Sequence, residues 1–202
     1  MKMRKSSGDR KAEILKVMLD LAFQVGPDHV TTGMISSRIG LTQPALYKHF
    51  PSKGDIWRAI SDRLCARIAE NSRIDDQAGH CPLGRLRHLI LKHLDLVAET
   101  PALPEIMIAR DPTSALADAQ HRIQTAMNGF RRAMGAELES ARKAGQLREA
   151  VRTEDGLSLL FGVIQSLLLR LIVTRDPTPL LQDGKRLIDL QLSLYAREGI
   201  AR

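Results

Sequence analysis

Between residues 43 and 50 the chain packs several polar groups around an apolar pair. Gln43, Tyr47, Lys48 and His49 surround Leu46 and precede Phe50. A glutamine amide donates and accepts at once, a lysine is a mobile point charge, and a tyrosine adds a hydroxyl on a flat apolar ring. Together these groups suit hydrogen bonding to base edges and phosphate oxygens better than they suit bond cleavage. Lys53 adds a further cation. A phosphate there would meet the free N–H groups and positive dipole end of a helix that starts after Ser52, together with the Lys53 ammonium.

Such groups need a rigid mount, and the flanking residues describe one. Thr31 is placed to cap a helix in which Ile35 and Ile39 fall four apart on one face. Gly40 stands where that helix must stop in a conformation with φ > 0. Thr42 caps the next helix, and Pro44 lies in its first turn, where a missing N–H does little harm. Leu46 and Phe50 repeat the four-residue apolar spacing and leave Gln43, Ala45, Tyr47, Lys48 and His49 facing outward. The layout is a helix-turn-helix whose second helix enters a DNA major groove.

Charge distribution agrees. The 202 residues carry a formal net charge of +7. Residues 1–53 hold nine Lys/Arg against four Asp/Glu, a net of +5, so about a quarter of the chain carries most of the excess. Enzyme chemistry finds no home. There is no glycine-rich phosphate loop after a strand, no H-E-x-x-H and no serine nucleophile elbow, so no catalytic residue and no cofactor is expected. The six histidines are scattered, and His80-Cys81 is too sparse for zinc, so no metal site is expected either. Cys65 and Cys81 make no disulfide framework and point to a reducing compartment. The longest apolar run, Leu157–Val173, is interrupted by Gln165, Ser166 and Arg170; no membrane span and no signal peptide is expected.

The remainder reads as helices. Residues 1–8 look like a basic arm, and an amphipathic helix from Asp9 to about Val25 carries Ile14, Met18, Leu21, Ala22 and Val25. Gly26-Pro27-Asp28 stops it. A fourth helix runs from Ser52 to about Arg73 with Ile56, Ile60, Leu64 and Ile68 in a stripe, and Asp75–Pro82 has linker composition. Helices follow over Leu83–Glu99, Ala102–Arg110, about Thr113–Ala144 and Glu154–Thr174, the last capped by Thr153. After Pro177 and Pro179 a final helix carries Leu187, Leu190 and Leu194. No strand alternation is visible, so the fold class is all-α with about nine helices, divided into 1–53 (reading head) and 54–202.

The Glu154–Thr174 helix is apolar almost all round, which demands burial on more than one side. Gly162 and Ser166, four apart, permit close helix approach. With Leu187 and Leu194 of the last helix beside them, a two-fold four-helix interface in a homodimer is the simplest solution. A central helix wrapped within one chain is the competing reading.

Residues Val30–Lys53 resemble, without a gap, the DNA-binding segment of the TetR/AcrR family of bacterial one-component regulators. The resemblance rests on the threonine pair, the Ile35/Ile39/Gly40 spacing, the L-Y-x-H-F block and the Ser52-Lys53 opening of the fourth helix. Farther on, only architecture and touches such as Ala144-Gly145-Gln146-Leu147 are similar. The resemblance implies a nine-helix homodimer, bacterial, cytoplasmic and nucleoid-associated, that binds a pseudo-palindromic double-stranded operator and is released by a small, largely apolar effector. It further implies that Thr32, Tyr47 and Lys53 bind phosphates, that Gln43, Pro44, Ala45 and Lys48 face base edges, and that His49 touches the backbone, with the caps Thr31 and Thr42 in the same interface. Gly33 departs from the pattern, because a longer polar or basic side chain often stands there. For the effector, the polar or soft residues on apolar faces are His93, Met107, Arg110 and Gln165; each also reads as an ordinary core, surface or interface residue. A DNA-bound structural or protein-recruiting factor with no effector is the alternative function.

Overall fold

The computed structural model describes residues 6–73, 81–109 and 116–197. Among them are nine α-helices: α1 (Ser7–Val25), α2 (Thr32–Ile39), α3 (Gln43–Tyr47), α4 (Lys53–Asn71), α5 (Pro82–Glu99), α6 (Leu103–Ile108), α7 (Ala117–Lys143), α8 (Thr153–Thr174) and α9 (Thr178–Tyr195). A 3-10 turn, Pro27–His29, joins α1 to α2. The described residues hold no strand; a single antiparallel bridge pairs Leu147 with Ala196. The all-α expectation holds.

Two compact units emerge, Met1–Cys65 with Ala102–Gln124, and Ala66–Pro101 with Thr125–Arg202. The first is built on α1. Its core-facing residues Ile14, Leu15, Met18, Leu21 and Ala22 are buried, as are Val30, Ile35, Leu46, Phe50, Ile56 and Trp57. Hydrophobic burial of this kind is what gives the short α2 and α3 a stability they would lack alone. In the same unit Gln120 Nε2 donates to the carbonyls of Ile106 (2.8 Å) and Ala109 (2.6 Å), satisfying acceptors at the end of α6. Arg122 donates to Ser61 Oγ at 3.1 Å and to the Asp62 carboxylate, fastening the start of α7 to α4.

In the second unit α5, α8 and α9 pack together. Gly184 of α9 lies against Leu94 of α5, and a two-pronged Arg87–Asp189 pair (2.5 and 3.1 Å) joins the same helices. Arg85 Nε donates to the buried Glu137 carboxylate at 2.8 Å, joining α5 to α7. The Tyr195 hydroxyl donates to the Gly156 carbonyl at 2.8 Å, and burial pushes its pKa up to about 12.

Several boundaries differ from the sequence reading. Ser6 and Asp9 form a reciprocal capping box (Asp9 N to Ser6 Oγ, 3.1 Å), so α1 begins two residues earlier than expected and residues 6–8 are not arm. Val25 lies on the exposed side of α1. Pro82 is the first residue of α5 rather than the end of a linker, with Cys81 Sγ accepting from Gly84 N at 3.3 Å. Thr153 does not cap α8: it is helical and its hydroxyl donates to Glu139 at 2.8 Å, while Arg152 stands at the cap position. Arg110, Thr113, most of the Asp75–Pro82 stretch and residues 1–5 lie outside the described residues. The 22-residue α8, with a mean hydropathy of 2.0 over its most apolar window, is long and apolar enough to cross a bilayer, contrary to the expectation from its interruptions. Its Leu160, Ile164, Leu167 and Leu171 stripe is buried in the protein instead.

Candidate nucleic-acid interface

The reading head is assembled by caps. Thr31 Oγ1 accepts from Met34 N (3.2 Å) and Thr42 Oγ1 from Ala45 N (3.3 Å), so both short helices start where the threonines predict. Gly40 ends α2 in the left-handed region (φ 66°, ψ 35°), and Leu41 N donates back to Ser36 O at 2.9 Å. Leu46 is fully buried and Phe50 nearly so, which fixes the roll of α3.

That roll decides which residues look out. Gln43, Pro44, Tyr47 and Lys48 are exposed, and Thr32 and Lys53 are half-buried. Ala45 and His49 are half-buried too, so the outward set is narrower than the sequence implied. Ala45 stands next to the buried Leu46, and His49 lies beyond the five residues of α3, next to the buried Phe50. The Tyr47 and Thr32 hydroxyls lie 3.3 Å apart, bringing a residue from the end of α3 to the first turn of α2. At the start of α4, Ser52 Oγ accepts from Asp55 N at 3.1 Å and donates to Asp55 Oδ2 at 2.7 Å. Beside the head, Arg38 donates to Gln24 (3.0 Å), and Leu21, Gly33, Met34, Ser37 and Arg38 line an open groove of about 610 Å³.

Sequence spacing gave no sign of the Thr32–Tyr47 contact, which spans fifteen positions, nor of Gln43 lying against Gly33. Only the resemblance grouped Thr32 with Tyr47, and it did so by role.

The remaining predicted residues are spread through the chain. His93 is 2% exposed, stacked on Phe130 with ring centroids 4.6 Å apart. Burial pushes its pKa down to about 4, which makes it a neutral imidazole in an apolar setting. Met107 is half-buried on α6. Gln165 is exposed beside Gly162 and Ser166, on one face of α8. That face is apolar at its edges: Leu159, Leu169 and Val173 are 56, 62 and 73% exposed. On α9 Leu187 is half-buried, while Leu190 and Leu194 are 53 and 55% exposed; the inner stripe is Leu180, Gly184, Ile188, Leu192 and Tyr195. A helix wrapped on every side by its own chain is therefore not what α8 is. No metal-binding group of three or more His, Cys, Asp or Glu occurs among the described residues.

An all-α chain with a capped helix-turn-helix and an exposed polar recognition helix defines a DNA-binding regulator. The profile of the bacterial regulatory proteins of the tetR family matches residues 14–60. The nucleoid occlusion factor SlmA of Sodalis glossinidius is 31% identical over 157 residues, 75% of each chain. The HTH-type transcriptional regulator TtgR of Pseudomonas putida is 24% identical over 198 residues, 95% of this chain and 93% of TtgR. Among solved structures, the transcriptional regulator FadR from Bacillus subtilis, crystallised with stearoyl-CoA, superposes with a TM-score of 0.67 at 16% identity, covering 91% of this chain and 98% of FadR. The chain belongs to the TetR family of DNA-binding transcriptional regulators.

Proposed function

We propose that the chain acts as a homodimeric repressor that binds a pseudo-palindromic operator through residues 1–53 and releases it when a small, largely apolar effector binds within 54–202. One observation carries the DNA half: Gln43, Pro44, Tyr47 and Lys48 stand exposed on a head whose caps and buried Leu46 and Phe50 hold them in place. Tyr47, Thr32 and Lys53 grip phosphates and set the register; Gln43 pairs with adenine N6/N7, Lys48 reaches guanine O6/N7 or a phosphate, and Pro44 packs on a thymine methyl. Ala45 and His49 sit deeper and make lesser contacts. Thr31 and Thr42 hold the helices that present these groups.

The exposed apolar face of α8 and α9, with Gly162 and Ser166 at close-approach spacing, supports pairing with a second copy. A dimer would seat two recognition helices in successive major grooves, about 34–36 Å apart. An effector can shift that spacing only through differential affinity for the two states. The acyl chain of the stearoyl-CoA in the FadR complex supports an effector with a large apolar part. His93 and Met107 are the candidate contacts here; Arg110 and the exposed Gln165 are weaker ones. A bacterial cytoplasmic, nucleoid-associated setting without catalysis follows from this role. The SlmA relationship favours a second reading, a DNA-bound factor that recruits protein and takes no effector.

The test is selection of bound duplexes from a random pool, followed by a small-molecule screen for release. The wild type is expected to enrich a palindrome, with a log–log salt slope of roughly −5 to −9 if six to ten phosphates are contacted. The Tyr47→Ala/Lys48→Ala double variant is expected to lose operator binding while sedimenting as a dimer. Retained binding by that variant refutes the assignment of the interface, and a palindrome that no apolar compound releases favours the recruiting factor.

A further inference from the structure

Gly33 sits inside α2, between the capping Thr31 and the core residue Ile35, and its backbone does not call for glycine. Among the described glycines, positive φ angles belong to Gly26, Gly40 and Gly145, whereas Gly33 is helical, where glycine is among the poorest residues. What glycine supplies at this position is space. A Cβ built on Gly33 would lie 3.2 Å from Nε2 of Gln43 and 3.7 Å from Oγ1 of Thr31. The amide of the leading recognition-helix residue therefore rests on the bare backbone of α2.

Neither neighbour yields without consequence. Thr31 Oγ1 is committed as the cap acceptor for Met34 N, so its position is tied to the start of α2. Gln43 follows the capping Thr42, and its backbone is set by the Thr42–Ala45 hydrogen bond. Only the Gln43 side chain is left to move, by rotation about its own χ angles. An amide swung off α2 presents its donor and acceptor in a different direction, and bidentate pairing with a base depends on that direction.

We infer that Gly33 is a specificity-determining position that acts through Gln43: by leaving room for the amide against α2, it sets which base pair Gln43 reads and how strongly. This inference rests on the operator-binding reading above. Gly33 touches no base itself; it is a positioning residue, and α2 contributes to readout by being bare.

The test is a double-mutant cycle on base preference in the full-length protein. Operator duplexes carrying all four base pairs at each position are titrated with the wild type, Gly33→Leu, Gln43→Ala and the double variant. Leucine is a good helix former, and unchanged thermal unfolding shows that the head is folded; Gly33→Ala serves as a milder step in which the amide shifts by a few tenths of an ångström. The wild type is expected to prefer one pair at a single half-site position by roughly 5- to 100-fold. Gly33→Leu is expected to cut that preference at least fivefold there and nowhere else, with Gly33→Ala intermediate. Gln43→Ala should remove the same preference, and adding Gly33→Leu to it should change nothing further. Independent, additive effects overturn the inference, as does an unchanged profile for Gly33→Leu, a uniform loss at all positions, or a Gln43→Ala profile identical to the wild type. If the wild type enriches no palindrome, the operator-binding reading has failed instead.

Discussion

Gly184→Ala and Gly129→Ala are the same chemical change in helices of the same unit, and the structure assigns them opposite signs. A Cβ on Gly184 would stand 2.5 Å from Leu94 Cδ1, 3.6 Å from Leu167 Cδ1 and 3.8 Å from Leu94 Cγ. Comfortable carbon contacts lie near 3.5–4.0 Å, so the end of Leu94 must retreat by about 1 Å. Leu94 is fully buried and has no solvent to retreat into. Overpacking of this kind costs about 1–3 kcal/mol, of which an off-rotamer leucine accounts for roughly 0.5–1.5. Alanine returns about 1 kcal/mol of helix propensity. The expected net is a loss of up to about 2 kcal/mol, a fall in melting temperature of up to roughly 8 °C for a chain of this size. At Gly129 the nearest atom would be an Arg132 guanidinium nitrogen 4.0 Å away, so propensity acts alone and Gly129→Ala should gain about 0.5–1 kcal/mol. Urea and thermal unfolding of both variants at one protein concentration decide the matter, since an oligomer's melting point moves with concentration. Placing Leu94→Ala under Gly184→Ala should relieve the clash, giving a measurable coupling energy. A Gly184→Ala chain stabilised as much as Gly129→Ala, or additive effects with Leu94→Ala, would refute the packing argument.

Two further outcomes follow from single residues. The folded-state pKa of His93 is lowered from 6.5 to about 4, so between those values the unfolded chain binds a proton that the folded chain does not. Stability should therefore fall as pH drops through this window, by up to about 1.4 kcal/mol per unit and about 3 kcal/mol in all. Urea midpoints at pH 7.5 and 5.0 should show it, and His93→Phe should lessen the difference. Gly40 holds φ 66° with nothing within 4 Å of a built Cβ, so Gly40→Ala carries a pure backbone cost of about 1–2 kcal/mol and Gly40→Asn a smaller one. Equal losses for alanine and asparagine by thermal unfolding would contradict that account.

Helix ends were legible where a residue's own side chain or backbone freedom makes the cap. Thr31, Thr42, Ser52 and Gly40 all stand where their chemistry suggests, because a cap is decided by neighbours three or four residues away. The errors came where a second candidate lay close by. Ser6 outcompeted a later start for α1 by pairing with Asp9, and Thr153 joined α8 because Glu139 on α7 takes its hydroxyl. The second of these depends on a distant residue, which no local rule registers.

The amino-acid sequence by itself determined the all-α class, the place of the helix-turn-helix and the residue types of its reading face. Apolar spacing, capping chemistry and charge concentration are local quantities, and they agree with one another across residues 31–53. Tertiary structure alone decided how far each residue of that face looks out, because exposure depends on how deeply Leu46 and Phe50 sink into the core beneath α3. It also decided that Thr32 meets Tyr47 and that Gln43 lies on Gly33. Those contacts join α2 to α3 through a turn whose geometry, rather than any periodicity, sets the distance.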